Sequence, residues 1–133
     1  MKVVACLMRA DRVLRAVMEL ALSDPAALAG MPEGQRCKAW RDDLFARFER
    51  WDVSFPYIVF DADAAKPLAL YWADVSPAGV AFVHQFVLPD ERRGMTAVLA
   101  AKAAARACLG DFPDVAALAG LTPADSRAAL AVA

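Results

Sequence analysis

Histidine is nearly absent from this chain: His84 is the only one in 133 residues. A metal centre built from several imidazoles is therefore excluded, and no metal cofactor is expected. Any imidazole proton transfer near neutral pH rests on that one side chain. Cysteine is scarce too. Cys6, Cys37 and Cys108 are widely spaced, and no Cys-x-x-Cys pair occurs. The spacing argues against a disulfide framework or a zinc site and predicts reduced thiols in a cytoplasmic protein. Neither charge is in excess. Fifteen Lys and Arg against 16 Asp and Glu give a formal net charge of −1 and a pI near 5.8. That balance predicts no nucleic-acid partner. Long apolar runs are missing as well. Hydrophobic residues make up 59% of the chain and mean hydropathy is +0.36, but alanine, a helix former, carries much of the excess. Arg9, Asp11, Arg12, Arg15 and Glu19 interrupt the N-terminal candidate for a membrane span or secretory signal, so no membrane partner is expected.

What is present reads as one domain over residues 1–133. The start is open to two readings. Val3, Val4, Leu7, Leu14, Val17 and Met18 fit a helical stripe. Alternatively, Val3 to Met8 is a short strand before a helix that Asp11 caps. Ser23 to Pro25 ends that element, and Gly30 to Gly34 is a loop. Cys37, Trp40, Leu44, Phe48 and Trp51 then recur at helical spacing, with Arg41, Asp42, Arg47 and Glu49 off the stripe. Such a stripe is core packing. Three strand-like runs follow: Phe55–Phe60, Leu68–Val75 and Val80–Leu88. Their short connections, Asp61–Pro67 and Ser76–Gly79, predict an antiparallel meander, with Asp61 and Asp63 in a solvated turn. A helix is expected from Arg93 to Leu109, ended by Gly110. Val115 to Leu118 is a short apolar run suited to a strand parallel to the third. Thr122-Pro123 opens a last helix. Ala-Ala-Leu-Ala-Gly occurs at 26–30 and again at 116–120, with different flanks, and reads as coincidence.

The most informative segment is Phe82 to Ala97. An apolar strand stops at Pro89, a charged turn ends in Arg92-Arg93-Gly94, and an Ala-rich helix begins. Unpaired N–H groups and the dipole at a helix start both attract anions. Two guanidinium groups add donors suited to phosphate. The same pattern also describes an ordinary strand-to-helix turn with two solvated arginines.

In element order and in the place of this turn, the chain resembles the GNAT superfamily of N-acetyltransferases. Val87-Leu-Pro89 is similar to the family's Val-x-Pro strand end. Arg93-Gly94-Met95-Thr96-Ala97 is similar to an Arg-Gly-x-Thr-Ala variant of its pyrophosphate loop, found in phage-borne GNAT-like proteins. Gly120 to Leu130 resembles the family's Pro-x-x-Asn-x-x-Ala helix start. The likeness spans Phe55 to Ala133. No register gives the full Arg/Gln-x-x-Gly-x-Gly/Ala loop: from Arg92, Met95 takes the central glycine's place, and from Glu91 the Arg/Gln is lost. Ser126 stands where Asn is usual, and Ala133 falls where a Tyr acid often lies. The family's final hairpin has no counterpart, so the resemblance implies a truncated, phage-type member.

The resemblance implies an α/β fold of the mixed α+β kind: N-terminal helices, a three-strand antiparallel meander, a crossover helix, a parallel strand and a C-terminal helix. It implies acetyl-coenzyme A as cofactor, with coenzyme A and an unidentified amine as partners. The pyrophosphate would fall to the backbone N–H groups of Arg93, Gly94, Met95, Thr96, Ala97 and Val98, assisted by Arg92 or Arg93. Main chain at Val87 and Leu88 would meet the pantetheine. His84 is the candidate base, and its other reading is a satisfied core histidine. Asp74 is a second candidate, and its other reading is a turn-capping carboxylate. Cys37, on the core stripe, and Cys108, in an Ala-rich helix, make no nucleophile constellation. The alternative function is a non-catalytic GNAT-fold protein of phage assembly or interaction, favoured by the incomplete loop. The short strand near Val115 is expected at a sheet edge, which predicts a homodimer or partner contact there.

Overall fold

A computed structural model describes residues 1–120. The expected C-terminal helix from Thr122, with Ser126 and Ala133, lies outside the described residues.

A single five-stranded sheet organises the chain, in the order β1 (Val3–Leu7), β2 (Ser54–Asp61), β3 (Lys66–Val75), β4 (Val80–Val87) and β5 (Ala117–Ala119). The first three pairings are antiparallel and β4–β5 is parallel. The expected meander and parallel last strand are both present. The parallel strand is shorter than Val115–Leu118, starting two residues later and ending one residue later. The open question at the N-terminus resolves as a strand: Val3 to Leu7 pair antiparallel with Asp61 to Tyr57. The helices therefore do not begin the fold. Local pattern could not decide, because the partner that selects the strand lies some fifty residues downstream.

Among the described residues, four α-helices cover the two faces of the sheet: α1 (Arg12–Leu22), α2 (Pro25–Ala29), α3 (Lys38–Arg50) and α4 (Thr96–Asp111). Asp11 caps α1 by accepting from the Leu14 N–H at 2.9 Å. Ser23 to Pro25 does more than stop α1. Asp24 accepts from the Ala27 N–H at 3.2 Å and, with Pro25 at the first helical position, starts α2. On one face, Leu14, Val17, Met18, Leu44 and Phe48 pack on Ile58, Leu70 and Trp72. On the other, Ala100, Ala104 and Cys108 of α4 meet Tyr57, Val59, Ala69, Tyr71 and Ala73. Alanine faces alanine there, so the crossover helix lies close to the sheet. Burial pushes both tyrosine hydroxyls up from their ordinary pKa, and Tyr57 donates to Asp111 Oδ2 at 2.8 Å.

Several boundaries differ from the sequence reading. Cys37 is exposed at the start of α3 rather than on a buried stripe, and Trp51 sits past its end in a left-handed conformation. Asp61 is buried, not solvated: its carboxylate accepts from the Asp63 and Ala64 N–H groups and holds the β2–β3 turn. Helix α4 begins at Thr96 rather than Arg93. It runs through Gly110 to Asp111, with the Phe112 N–H reaching back to Cys108 O. The Ser76–Gly79 turn is as expected. Gly79 has φ 84°, and a Cβ there would stand 3.2 Å from Asp114 O. Its own carbonyl accepts from the Ala116 N–H at 2.7 Å, which brings β5 alongside β4. No described helix is long and apolar enough to cross a membrane.

Candidate functional site

Strand β4 has a partner on both sides only at its start. β5 pairs with Val80, Ala81 and Phe82, and from Val83 onward no described strand lies on that side. The Leu88 N–H bonds Leu68 O at 2.9 Å, so by antiparallel alternation the main chain of His84 and Phe86 also faces β3. The main chain of Gln85 and Val87 then faces the opening, with Val87 O taken by Arg92 Nε, whereas Val83 O lies against Gly120. The start of α4 stands beside the opening.

The segment between β4 and α4 is tightly held. Pro89–Glu91 forms a short 3-10 turn. Lys66 pairs with Glu91 at 3.0 Å. Arg92 donates from Nε to Val87 O at 3.0 Å and pairs with Asp24 at 2.7 Å. The hydrogen bond from Arg92 holds Asp24 below the ordinary carboxylate range. Arg92 is thus committed to tying the end of β4 to α2. Arg93 is exposed and makes no ion pair among the described residues. Gly94 has φ 58°, with open space where a Cβ would be, so backbone there is approachable. Thr96 N–H makes only a long 3.4 Å contact to Arg93 O, and the first α-helical bond runs from Leu99 N–H to Met95 O. The N–H groups of Gly94, Met95, Ala97 and Val98 have no backbone acceptor among the described residues. These are the orphan donors a helix start leaves.

On the other face of β4, His84 and Asp74 come together. His84 Nε2 lies 3.1 Å from Asp74 Oδ2, and Ser54 donates to Asp74 Oδ1 at 2.6 Å. Burial raises the Asp74 pKa, but hydrogen bonds from His84 and Ser54 outweigh it and leave the carboxyl below its ordinary range. The His84 ring stacks on Trp72, with centroids 4.5 Å apart and an 18° interplanar angle. A cavity of about 260 Å³ opens over the pair, walled by Trp40, Trp72, Phe86, Asp43 and Arg47. A carboxylate that accepts from one imidazole nitrogen fixes the tautomer, so Nδ1 is left with the lone pair.

Solved structures show the same arrangement of elements. An aminoglycoside acetyltransferase, AAC(6′)-Ib, in complex with coenzyme A superposes with a TM-score of 0.71 at 16% identity, covering 96% of this chain and 79% of that one. RimL, a ribosomal alpha-N-protein acetyltransferase, gives 0.67 at 16% identity over 97% and 73% of the two chains. Mycobacterium smegmatis RimJ in complex with CoA-disulfide gives 0.69 at 13% identity over 98% and 66%. The chain has the GNAT acetyltransferase fold. No protein-family model and no curated protein sequence matches it.

In the GNAT fold of this chain, the sequence-derived candidates fall into two groups. Gly94, Met95, Thr96, Ala97 and Val98 lie together at the start of α4, with Arg93 beside them. Val87 lies on the open side of β4, whereas the Leu88 N–H is taken by β3. His84 and Asp74 form a pair on the opposite face. Sequence reasoning passed over Gln85. Its Nε2 donates to Ala97 O at 3.1 Å, and its Oε1 is buried with no partner among the described residues. It also passed over Asp43, and it placed Arg47 only off the apolar stripe of α3. Alternation along β4 carried the signal for Gln85: a polar residue between Val83 and Val87 on the α4 face.

The Asp74 carboxylate makes stability depend on pH. Its folded pKa is depressed, so its contribution is present above the unfolded value, about 3.9, and is lost as pH falls through the folded value. The Asp74→Asn protein is expected to lose less stability than the parent between about pH 5 and pH 2 in urea titrations. Parallel stability curves for the two proteins would contradict this.

Proposed function

We propose that the protein is an acetyl-coenzyme A-dependent N-acetyltransferase acting on an amine. The observation that carries this reading is the placing, on either face of one half-paired strand, of four N–H groups with no acceptor among the described residues and a histidine–carboxylate pair. The donor set fits the coenzyme. The N–H groups of Gly94, Met95, Ala97 and Val98, with Arg93, suit a pyrophosphate. The side of β4 without a strand partner suits the amide groups of pantetheine, and the orphaned Gln85 Oε1 adds a buried acceptor. When bound, the coenzyme would supply the acetyl group as a thioester: amide formation from an ammonium breaks the C–S bond and gives up two of the three N–H protons, one to the protein and one to the departing sulfur.

The chain's own residues do the rest. His84 takes the released proton at Nδ1, and Asp74, anchored by Ser54, steadies the imidazolium. Stacking on Trp72 holds the ring's orientation. The α4 amides and Gly94 position the coenzyme rather than taking part in proton transfer.

Isothermal titration with coenzyme A tests the binding half. Reversing charge with Arg93→Glu is expected to weaken coenzyme binding at least about tenfold, the loss of one charge-assisted contact. Unchanged affinity would remove Arg93 from the site. The remaining expectations belong to the same proposal: residues 1–133 act as one domain, and β5, at the sheet edge, is where a second copy would pair. Light scattering that gives a monomer at high protein concentration would contradict the pairing.

A further inference from the structure

We infer that the acceptor is a compact amine carrying one positive charge on an aromatic or similarly flat apolar body, bound in the cavity between α3 and β4. This deepens the acetyl-transfer reading and rests on it for the chemistry, though not for the binding. The cavity is about 260 Å³. That is the share of about nine water molecules in the liquid, below the roughly 300 Å³ at which drug-sized pockets begin. The cavity is half open to solvent, so this volume bounds the part of the ligand it covers, which is compact.

The walls are aromatic. Trp72 and Phe86 lie nearly parallel, 11° apart with centroids separated by 5.6 Å, and Trp40 tilts over Trp72 at 6.4 Å and 54°. Trp72 is buried beneath His84, so the ring surface open to a ligand is that of the partly buried Trp40 and Phe86, which attracts ammonium groups through the ring quadrupole and flat bodies through dispersion. Charge limits the ligand further. Asp43 and Asp74 line the cavity, and Arg47 lines it with them, leaving a net charge of one negative. The nearby carboxylates are engaged elsewhere: Asp42 with Arg15 and Lys38, and Glu19 with Arg15 and Arg41. One net carboxylate suits one ammonium and leaves a polycation's further charges without partners.

The experiment has two arms. In the first, 2-phenylethylamine is titrated into the coenzyme-free protein and tryptophan fluorescence is followed, with 2-phenylethanol as the uncharged control. The amine is expected to quench saturably and to bind at least about fivefold more tightly than the alcohol. In the second, thiol release at saturating acetyl-coenzyme A compares 2-phenylethylamine, kanamycin and a short peptide with a free N-terminus. The arylalkylamine is expected to have the highest kcat/KM, by about tenfold or more. Asp43→Asn, at an exposed position that keeps the fold, is expected to raise its KM several-fold and leave the coenzyme Kd unchanged. No saturable quenching overturns the inference whatever the coenzyme does. Quenching with no coenzyme binding overturns acetyl transfer but not the pocket's ligand class. Coenzyme binding with kanamycin or the peptide as the better acceptor overturns the inference and leaves acetyl transfer standing.

Discussion

Replacing His84 with Gln is expected to lower kcat by a factor of about 10² to 10⁴ while coenzyme A affinity stays within about twofold. The split follows from the two faces of β4. His84 points into the cavity with Asp74, and the coenzyme donors lie with Gln85 on the α4 side. Gln keeps a hydrogen bond to Asp74 but has no nitrogen that can hold a proton near neutral pH. Asp74→Asn is expected to fall between the two, because the imidazole survives but loses the charge that steadies its protonated form. A titration that shows His84→Gln weakening coenzyme binding as much as it slows turnover would place His84 in the wrong role. Turnover equal to the parent's would show that the amine loses its proton to solvent.

Trp72→Ala is expected to cost about 3–5 kcal/mol of folding stability, a large share of the about 5–15 kcal/mol typical of a domain. Trp72 is 2% exposed at the centre of β3. Its ring meets Trp40, Phe48, His84 and Phe86, so truncation empties the middle of the core cluster and removes the floor of the cavity together. Trp72→Phe is expected to cost less, since Nε1 has no hydrogen-bond partner to lose among the described residues. Urea unfolding measures both. A loss below about 1 kcal/mol for Trp72→Ala would contradict the packing described.

The parts of this fold that were legible in the sequence are those with local physical causes. Ser76–Gly79 turns because Gly79 supplies a positive φ, and Asp11 starts α1 because its side chain reaches the Leu14 N–H. Connection length alone separated the antiparallel meander from the parallel β5. What was not legible depends on distant partners. The pentapeptide Ala-Ala-Leu-Ala-Gly makes the point within one chain. At 26–30 it is largely helix α2, started by the Asp24 cap and Pro25. At 116–120 it is largely strand β5, because Ala116 is held by Gly79 O and the next residues pair with β4. The same dependence hid β1, whose register is set by β2.

The candidate site divides in the same way. The turn before α4 was visible as Gly94 and two arginines, but only the fold shows that Arg92 is tied to Asp24 and Val87 O while Arg93 is not. The pairing of His84 with Asp74 follows from cross-strand register, which no local pattern contains. Cys37 was misplaced because helical spacing extends a stripe past the point where the helix starts, and the first position of α3 faces solvent.

Coenzyme A is expected to bind at the start of α4 and along the side of β4 that no described strand covers. Isothermal titration of coenzyme A into the parent protein, with Arg93→Glu alongside, tests it most directly. The account predicts a single saturable site in the parent, weakened about tenfold or more in the variant. No binding heat to the parent at millimolar coenzyme would contradict the claim, leaving the fold without acetyl transfer and the non-catalytic reading in its place.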